Sequence, residues 1–290
     1  MSKPIVILLA SALAAATAQP LPAWGALGHQ MAATASVQDL PPDLAAWFLD
    51  QTDTLHDHAN DPDHWKQRDP LEGPRHYLDC EAYGSAAQVP VDEDAAQARL
   101  GPAEFQHNGQ VPWVVQARVQ SLAKAFTRGD RDQVALEAAI LSHYVADLSV
   151  PLHTSSNHDG AKTGQHGVHR RWESNLLERI VEEQGWSPEA RPAQVGPDAW
   201  NSPFTWLVQG FDLVPRVLAD DLTATRAEAS REPVGASYWR VFQRLEEPVV
   251  KEQLTLAAQR TAEMVTLAWT RAGMPSAPAA ATSRASRTLR

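Results

Sequence analysis

The chain has 290 residues, of which 43% are hydrophobic and 21% are charged, and its formal net charge at pH 7 is −10. These fractions are ordinary for a soluble globular protein, and the length is enough to build a hydrophobic core in one large domain or two small ones. The negative charge excludes a protein that holds nucleic acid through a broad basic surface, but not an enzyme that binds one phosphodiester at a metal site.

The first residues have the pattern of a secretory signal peptide. Lys3 precedes an apolar stretch over residues 4–18, PIVILLASALAAATA, and small residues follow it. The stretch is too short and too poorly flanked for a membrane anchor. Cleavage after Ala23 would make Trp24 the first mature residue. We therefore expect a signal peptide over residues 1–23 and a periplasmic or secreted protein.

Trp24 opens the segment WGALGH, which permits two interpretations. A free α-amine has an ordinary pKa of about 7.7–8.0, so a metal ion can displace its proton. The amine, the first carbonyl and His29 could then bind one ion together. Alternatively, Trp24 simply begins the first core helix. This segment alone does not decide between the two.

Apolar periodicity predicts helices along most of the remaining chain. An apolar stripe covers residues 28–49, although two prolines interrupt it. The pattern predicts further helices over residues 111–127, 132–148, about 169–184, 198–222 and 236–272. Because no strand alternation or internal repeat stands out, we expect an all-α domain over residues 24–273. A small, polar and basic segment follows, which predicts a disordered tail over residues 274–290.

Residues 50–110 form a long region that is rich in Asp, Pro, Gly and His and has little periodicity. Connections without regular structure are rarely so long unless they are functional. Two short segments in it, DPDHWK and EGPRHYLD, contain residue types that bind metals or phosphates. These candidates are Asp61, Asp63, Lys66, Arg75, His76 and Asp79. Each one alone is equally compatible with a solvent-exposed side chain.

The clearest chemical pattern lies in residues 143–173. His143 and Asp147 are four residues apart, as are His169 and Glu173, and such positions share one face of a helix. His153 lies between the two pairs. A single pair is usually solvated, but two pairs with a further histidine and no thiolate match the ligands of zinc hydrolases. We therefore predict bound metal, with further ligands from residues 50–110.

With these motifs in place, the chain resembles the superfamily of zinc-dependent phospholipases C and single-strand-specific nucleases, from Trp24 to about Trp269. The matching segments are WGALGH, HYVADLSVPLH and HRRWE. The resemblance implies an all-α, single-domain fold whose long irregular loops surround a cleft with three Zn²⁺ ions. It assigns one ion to Asp63, His76, His143 and Asp147, a second to Trp24, His29 and Asp147, and a third to His153, His169 and Glu173.

The resemblance also implies catalytic roles. It favours Asp63 over Asp61 because the superfamily's acid is followed three residues later by a basic residue, here Lys66. Asp147 would join two ions, and Asp63 would coordinate and orient the attacking water. Lys66 would lie near the scissile phosphate. His166 competes with His169 for the place in the second His–acid pair.

Two branches of the superfamily fit to different degrees. The spacing from Trp24 to the next histidine matches the nucleases, and so does the HYLD segment. By this resemblance, Tyr77 would stack on a base and Asp79 would bind the edge of that base. Alternatively, Tyr77 packs in the core and Asp79 caps a helix. Glu173 matches the phospholipases, and Val150 replaces the nucleases' glutamine. Nuclease disulfides are absent too, because Cys80 is the only cysteine.

Taken together, these features predict a monomeric zinc-dependent phosphodiesterase without a stable protein partner. Its substrates would be single-stranded nucleic acid and also 3′-nucleotides, cleaved by a hydroxide that bridges two metal ions. The alternative is a phospholipase C that acts on phosphatidylcholine-type headgroups. A zinc-binding protein without activity is less favoured, because storage does not require a carboxylate shared by two ions.

Overall fold

The computed structural model describes residues 24–230 and 234–278. The predicted signal peptide therefore lies outside the described residues, as does the predicted tail beyond residue 278. Among the described residues, six α-helices have nine or more residues. They are α1 (Gly25–Ala35), α2 (Val111–Arg128), α3 (Arg131–Leu148), α4 (Leu176–Gln184), α5 (Ser202–Ala227) and α6 (Ala236–Arg271).

Shorter helical segments connect these helices. The α-helical ones are Pro42–Ala45, Thr52–His58, Asp61–Trp65, Glu93–Leu100, Pro102–His107 and Val168–Arg170. The 3₁₀ turns are Ser36–Asp39, Ala46–Phe48, Gly73–His76, Cys80–Tyr83, Ala86–Gln88, Pro151–Thr154, Ala161–Thr163 and Ala199–Asn201. No strand is present in the described part of the chain, so the predicted all-α class is confirmed.

The turn between α2 and α3 shows how local sequence sets the helix ends. Gly129 adopts a left-handed conformation with φ of 69° and terminates α2, which is the usual role of glycine at that position. Asp130 then caps α3, because its side chain accepts a hydrogen bond from the Gln133 amide at 3.1 Å. The two helices therefore fold back on each other as an antiparallel pair.

Helix α3 runs through the middle of the molecule. From Val134 to Leu148 most of its side chains are buried, and it packs against α1, α2 and α6. A helix that is buried on all sides is normally apolar throughout. His143 and Asp147 break that rule with no exposure at all, so they require partners inside the protein.

Two hydrophobic clusters meet near these polar residues. The first contains Tyr144 and Leu148 of α3, and the second contains Trp24, Trp172 and Leu152. The site described below therefore lies between two apolar bodies, where burial strengthens electrostatic interactions. Within residues 24–230 and 234–278, no helix has both the length and the apolar character that crossing a membrane requires.

Candidate metal centre

The structure brings all nine predicted ligands together near the C-terminal end of α3. Three groups have potential ligand atoms within 4.8 Å of one another. They are His29, Asp63 and His143; His76, His143 and Asp147; and His153, His169 and Glu173. The backbone nitrogen of Trp24 joins the third group, since it lies 3.1 Å from Glu173 Oε2. Which ion each residue holds stays a prediction.

Asp147 lies at the centre of this cluster. Its Oδ2 is 2.8 Å from His76 Nδ1 and 3.4 Å from His143 Nε2. Its other oxygen, Oδ1, is 3.6 Å from both His29 Nε2 and His153 Nδ1. The two oxygens therefore face different sets of imidazoles. That arrangement suits a carboxylate shared between two cations.

Pairs of histidine nitrogens point at each other across the cluster. His143 Nε2 lies 3.0 Å from His76 Nδ1, and His153 Nε2 lies 3.0 Å from His169 Nε2. The far nitrogens are anchored to backbone: the Nδ1 atoms of His143 and His153 lie 2.8 Å from the carbonyls of Ala59 and His76. Metal-binding histidines typically have one nitrogen so anchored while the other faces the ion.

Several buried polar atoms in the cluster have no hydrogen-bond partner. They are both ring nitrogens of His29, His76 Nε2, Asp63 Oδ2, Asp147 Oδ1 and Glu173 Oε1. Leaving such atoms unpaired in an apolar interior is costly, and native proteins rarely do so. Bound cations would satisfy the carboxylate oxygens and one nitrogen of His29, and nitrogen with carboxylate oxygen is a zinc ligand set. The residues present therefore fit the ions that the sequence implies.

The pKa values of the cluster residues also favour bound cations. Burial lowers the pKa of His29, His76 and His143 well below the usual histidine value, so these rings are neutral, as metal binding requires. Burial also raises the pKa of Asp147 well above its usual range. Burial would raise the pKa of Glu173 as well, but its contacts with His169 and His153 hold that pKa at about 2.

The segment from residue 168 to residue 184 differs from the regular helix that its periodicity predicted. The α-helical turn Val168–Arg170 runs into a π-helical turn, Arg171–Asn175, before α4 begins. A π turn contains one extra residue per turn and is often found at functional sites. The predicted pairing is kept nevertheless, because His169 Nε2 lies 2.8 Å from Glu173 Oε2.

The structure also separates the competing candidates. Asp63 Oδ1 binds Lys66 Nζ at 2.6 Å and lies 3.7 Å from His143 Nε2, inside the cluster. Asp61 instead pairs with His58 in a partly exposed position, 2.7 Å away. His166 is exposed, whereas His169 is buried in the third group. Trp24 precedes α1 and its backbone nitrogen faces the cluster, so its position is compatible with either interpretation and metal binding by this nitrogen stays a prediction.

Glu72 is a functional candidate that the sequence analysis missed. It is 1% exposed, its Oε1 lies 3.3 Å from His76 Nε2 and accepts the Tyr144 hydroxyl, and its Oε2 binds Arg75 at 2.5 Å. A carboxylate behind a metal-binding histidine fixes the ring orientation. Glu72 and His76 are again four residues apart, which was the available signal, but they lie in a region predicted as loop.

Tyr77 and Asp79 lie beside the cluster on a segment that is joined to it. The amide of Leu78 donates to His153 O at 2.9 Å, and the Tyr77 hydroxyl donates to His107 O at 2.9 Å. Tyr77 is only partly buried, and Asp79 makes no side-chain capping bond to the following turn. Instead, Asp79 Oδ1 is buried without a partner, and burial raises the pKa of this carboxyl to about 6.

A model of the S1/P1 nuclease family matches residues 24–269. Among solved structures, the chain is similar to alpha toxin from Clostridium absonum, with 12% sequence identity and a TM-score of 0.49. The similarity covers 83% of this chain and 64% of the toxin chain. No curated protein sequence matches.

Proposed function

Because this chain belongs to the S1/P1 nuclease family, which hydrolyses phosphodiester bonds, we propose that it is a zinc-dependent enzyme that cleaves single-stranded nucleic acid and 3′-nucleotides. One observation carries the proposal: the imidazole and carboxylate atoms gathered around Asp147 are buried, and several have no partner. The apolar stretch over residues 4–18 supports export to the periplasm or the medium.

In this proposal three Zn²⁺ ions occupy the cluster. The first is held by Asp63, His76, His143 and Asp147, the second by Trp24, His29 and Asp147, and the third by His153, His169 and Glu173. Two observed groups support the first and third ions, because His76 lies with His143 and Asp147, and His153 lies with His169 and Glu173. The second ion has less support, since His29 is grouped with Asp63 and His143, and the Trp24 nitrogen lies 3.1 Å from Glu173 Oε2. Bound zinc supplies Lewis acidity, which polarises a phosphate and activates water near neutral pH.

The protein's own side chains would orient the reactants. Asp63 Oδ2 is buried without a partner, so it can accept a hydrogen bond from the attacking water and fix its direction. Lys66 keeps its ammonium beside Asp63 at 2.6 Å and is only 11% exposed. A cation held there favours the negative phosphate and reduces the charge repulsion that slows attack on a diester.

Selection of single strands would depend on Tyr77 and Asp79. An aromatic ring can stack on any base that is free to turn outward, whereas the bases of a duplex are paired and stacked on each other. Asp79 Oδ1 is available to accept an N–H from the edge of the same base. The hydrogen bond from the Leu78 amide to the His153 carbonyl holds these two residues at the edge of the metal cluster.

The test compares substrates and variants of the purified mature enzyme loaded with zinc. We expect rapid cleavage of single-stranded DNA, slow cleavage of duplex DNA, and little hydrolysis of phosphatidylcholine vesicles. Tyr77→Ala removes a stacking contact of about 1–3 kcal/mol per base, so cleavage of single strands should fall about tenfold or more. Zinc content and turnover of bis(p-nitrophenyl) phosphate should change much less.

Tyr77→Phe is the matched control, because it keeps the ring and loses only the hydroxyl bond to His107 O. It should retain most of the activity on single strands. If Tyr77→Ala cleaves single-stranded DNA as fast as the wild type, and the wild type readily hydrolyses phosphatidylcholine, the enzyme is a phospholipase C and the proposal is wrong.

A further inference from the structure

Glu246 is a buried carboxyl that the metal chemistry does not use. It lies inside α6 and has no exposed surface. Its Oε2 accepts a hydrogen bond from the indole Nε1–H of Trp172 at 2.7 Å, and Trp172 is fully buried as well. Buried acids are rare in proteins unless they are paired, so this contact requires an explanation.

Trp172 connects α6 with the metal cluster. It directly precedes Glu173 in the π turn, and while the Glu173 carboxylate faces the histidines, the Trp172 indole reaches the opposite way to α6. The Trp172 ring also packs on Trp24, with 5.3 Å between ring centroids. Trp24 in turn places its backbone nitrogen 3.1 Å from Glu173 Oε2. One series of contacts therefore leads from Glu246 to two predicted ligands.

The turn that contains Trp172 and Glu173 is π-helical. Such turns are rare, single-turn departures from α-helical geometry and often lie at functional sites. If the indole N–H lost its acceptor, a buried donor would be left unpaired, and the ring would have to move to find another. Because Trp172 and Glu173 are adjacent in the backbone, rotation of the turn would also redirect the Glu173 carboxylate.

The surroundings of Glu246 favour its neutral form. Burial and the neighbouring Asp220 carboxyl raise the pKa of Glu246 to about 8. Arg216 opposes this, with Nε 3.4 Å from Glu246 Oε1 and 3.5 Å from Asp220 Oδ2, but it is half-exposed. A protonated Glu246 can still accept from Trp172 through Oε2, and that is its one hydrogen bond, since Oε1 has no hydrogen-bond partner among the described residues.

We propose that Glu246 is a positioning residue for the metal centre, which orients Glu173 and the Trp24 nitrogen through the Trp172 indole. The inference rests on the proposed zinc site but not on the identity of the substrate. It predicts that losing the acceptor at residue 246 weakens zinc binding at a distance. An amide at this position should preserve binding, because Gln also accepts from the indole.

The experiment measures zinc affinity by competition with a chelator, together with tryptophan fluorescence. Glu246→Leu should bind its weakest zinc about 10–100-fold less tightly, a range typical when a residue behind a ligand is removed, whereas Glu246→Gln should stay within about twofold of the wild type. Glu247→Leu is the control, because Glu247 is the next residue of α6 and pairs with Lys251 near the surface. It should leave zinc affinity unchanged.

Trp172→Phe keeps a ring but removes the N–H donor, and it tests the contact even if Glu246→Leu folds poorly. It should weaken zinc binding, and adding Glu246→Leu to it should make little further difference, because both changes remove the same contact. The inference is overturned if Glu246→Leu or Trp172→Phe binds zinc as tightly as the wild type, or if Glu246→Gln loses as much affinity as Glu246→Leu. A wild type that binds no zinc would instead overturn the proposed function.

Discussion

Replacing Asp147 with Asn tests whether one carboxylate joins two cations at the centre of the site. Oδ2 of Asp147 faces His76 at 2.8 Å, whereas Oδ1 faces His29 at 3.6 Å. The substitution keeps the size of the side chain, but it removes the charge and turns one oxygen into an NH₂ group that cannot bind a cation. We therefore expect Asp147→Asn to hold fewer zinc ions than the wild type.

The same substitution should have opposite effects on stability with and without zinc. Burial raises the pKa of Asp147, and Asp63 and Glu173 raise it further although Lys66 opposes them, so a charge at this position is costly when no cation is present. The zinc-free variant should therefore be at least as stable as the zinc-free wild type. With free zinc at 100 times its Kd, each ion that only the wild type binds adds about 2.7 kcal/mol.

That contribution corresponds to roughly 5–11 °C in Tm for a chain of this size. Hydrolysis of bis(p-nitrophenyl) phosphate should fall about a thousandfold, since a lost metal contact removes several kcal/mol and each 1.36 kcal/mol is tenfold. The assay is thermal unfolding in chelator and in excess zinc, with elemental analysis. Asp132→Asn, exposed in the first turn of α3, is the control. Wild-type zinc content in Asp147→Asn would refute the reasoning.

Three further predictions test other parts of the structure. Glu72→Gln should weaken zinc binding about 10–100-fold in a chelator competition, because His76 loses the carboxylate beside its ring; unchanged affinity would contradict this. A protein that keeps one extra residue ahead of Trp24 should contain one zinc ion fewer by elemental analysis, because its nitrogen becomes an amide without a free lone pair, and equal content would show that this nitrogen is not a ligand. Asp39 is 3% exposed, and burial raises its pKa from 3.8 to about 6 despite a hydrogen bond from the Arg191 amide. As the pH falls from 7 to 4, the folded state takes up this proton before the unfolded state does, so the wild type should gain about 1–3 kcal/mol relative to Asp39→Asn in denaturant unfolding; a constant difference would rule this out.

The parts of the fold that the sequence predicts well are those with local signals at both ends. Helices α2 and α3 begin and end within one residue of their predicted limits, because Gly129 and Asp130 mark the turn between them. The four-residue spacing of His143 and Asp147 has the same local origin. Inside one helix, spacing alone determines which side chains share a face.

The π turn at Arg171–Asn175 could not be predicted from the local sequence. Apolar periodicity from residue 169 to residue 184 is compatible with a regular helix, and one inserted residue hardly changes it. What holds the turn is distant in sequence: the Glu246 carboxyl and the ring of Trp24. Similarly, the hydrogen bond between Tyr144 and Glu72 forms only because α3 packs against the Gly73–His76 turn. No local sequence pattern predicts that packing.

The metal cluster and the substrate pocket differ in how far their residue types restrict their function. Few arrangements other than a metal site bring so many buried imidazoles and carboxylates together, whereas a tyrosine and an aspartate occur in many settings. For the pocket, the decisive observation is that Asp79 Oδ1 is buried without a partner. A quaternary ammonium headgroup could offset the charge of this carboxylate, but it has no N–H to donate to the oxygen. A nucleobase edge presents N–H groups and can satisfy it while the ring of Tyr77 covers the face of the base. An unpaired oxygen near an aromatic ring therefore fits the proposed nuclease, and Tyr77→Ala tests that assignment.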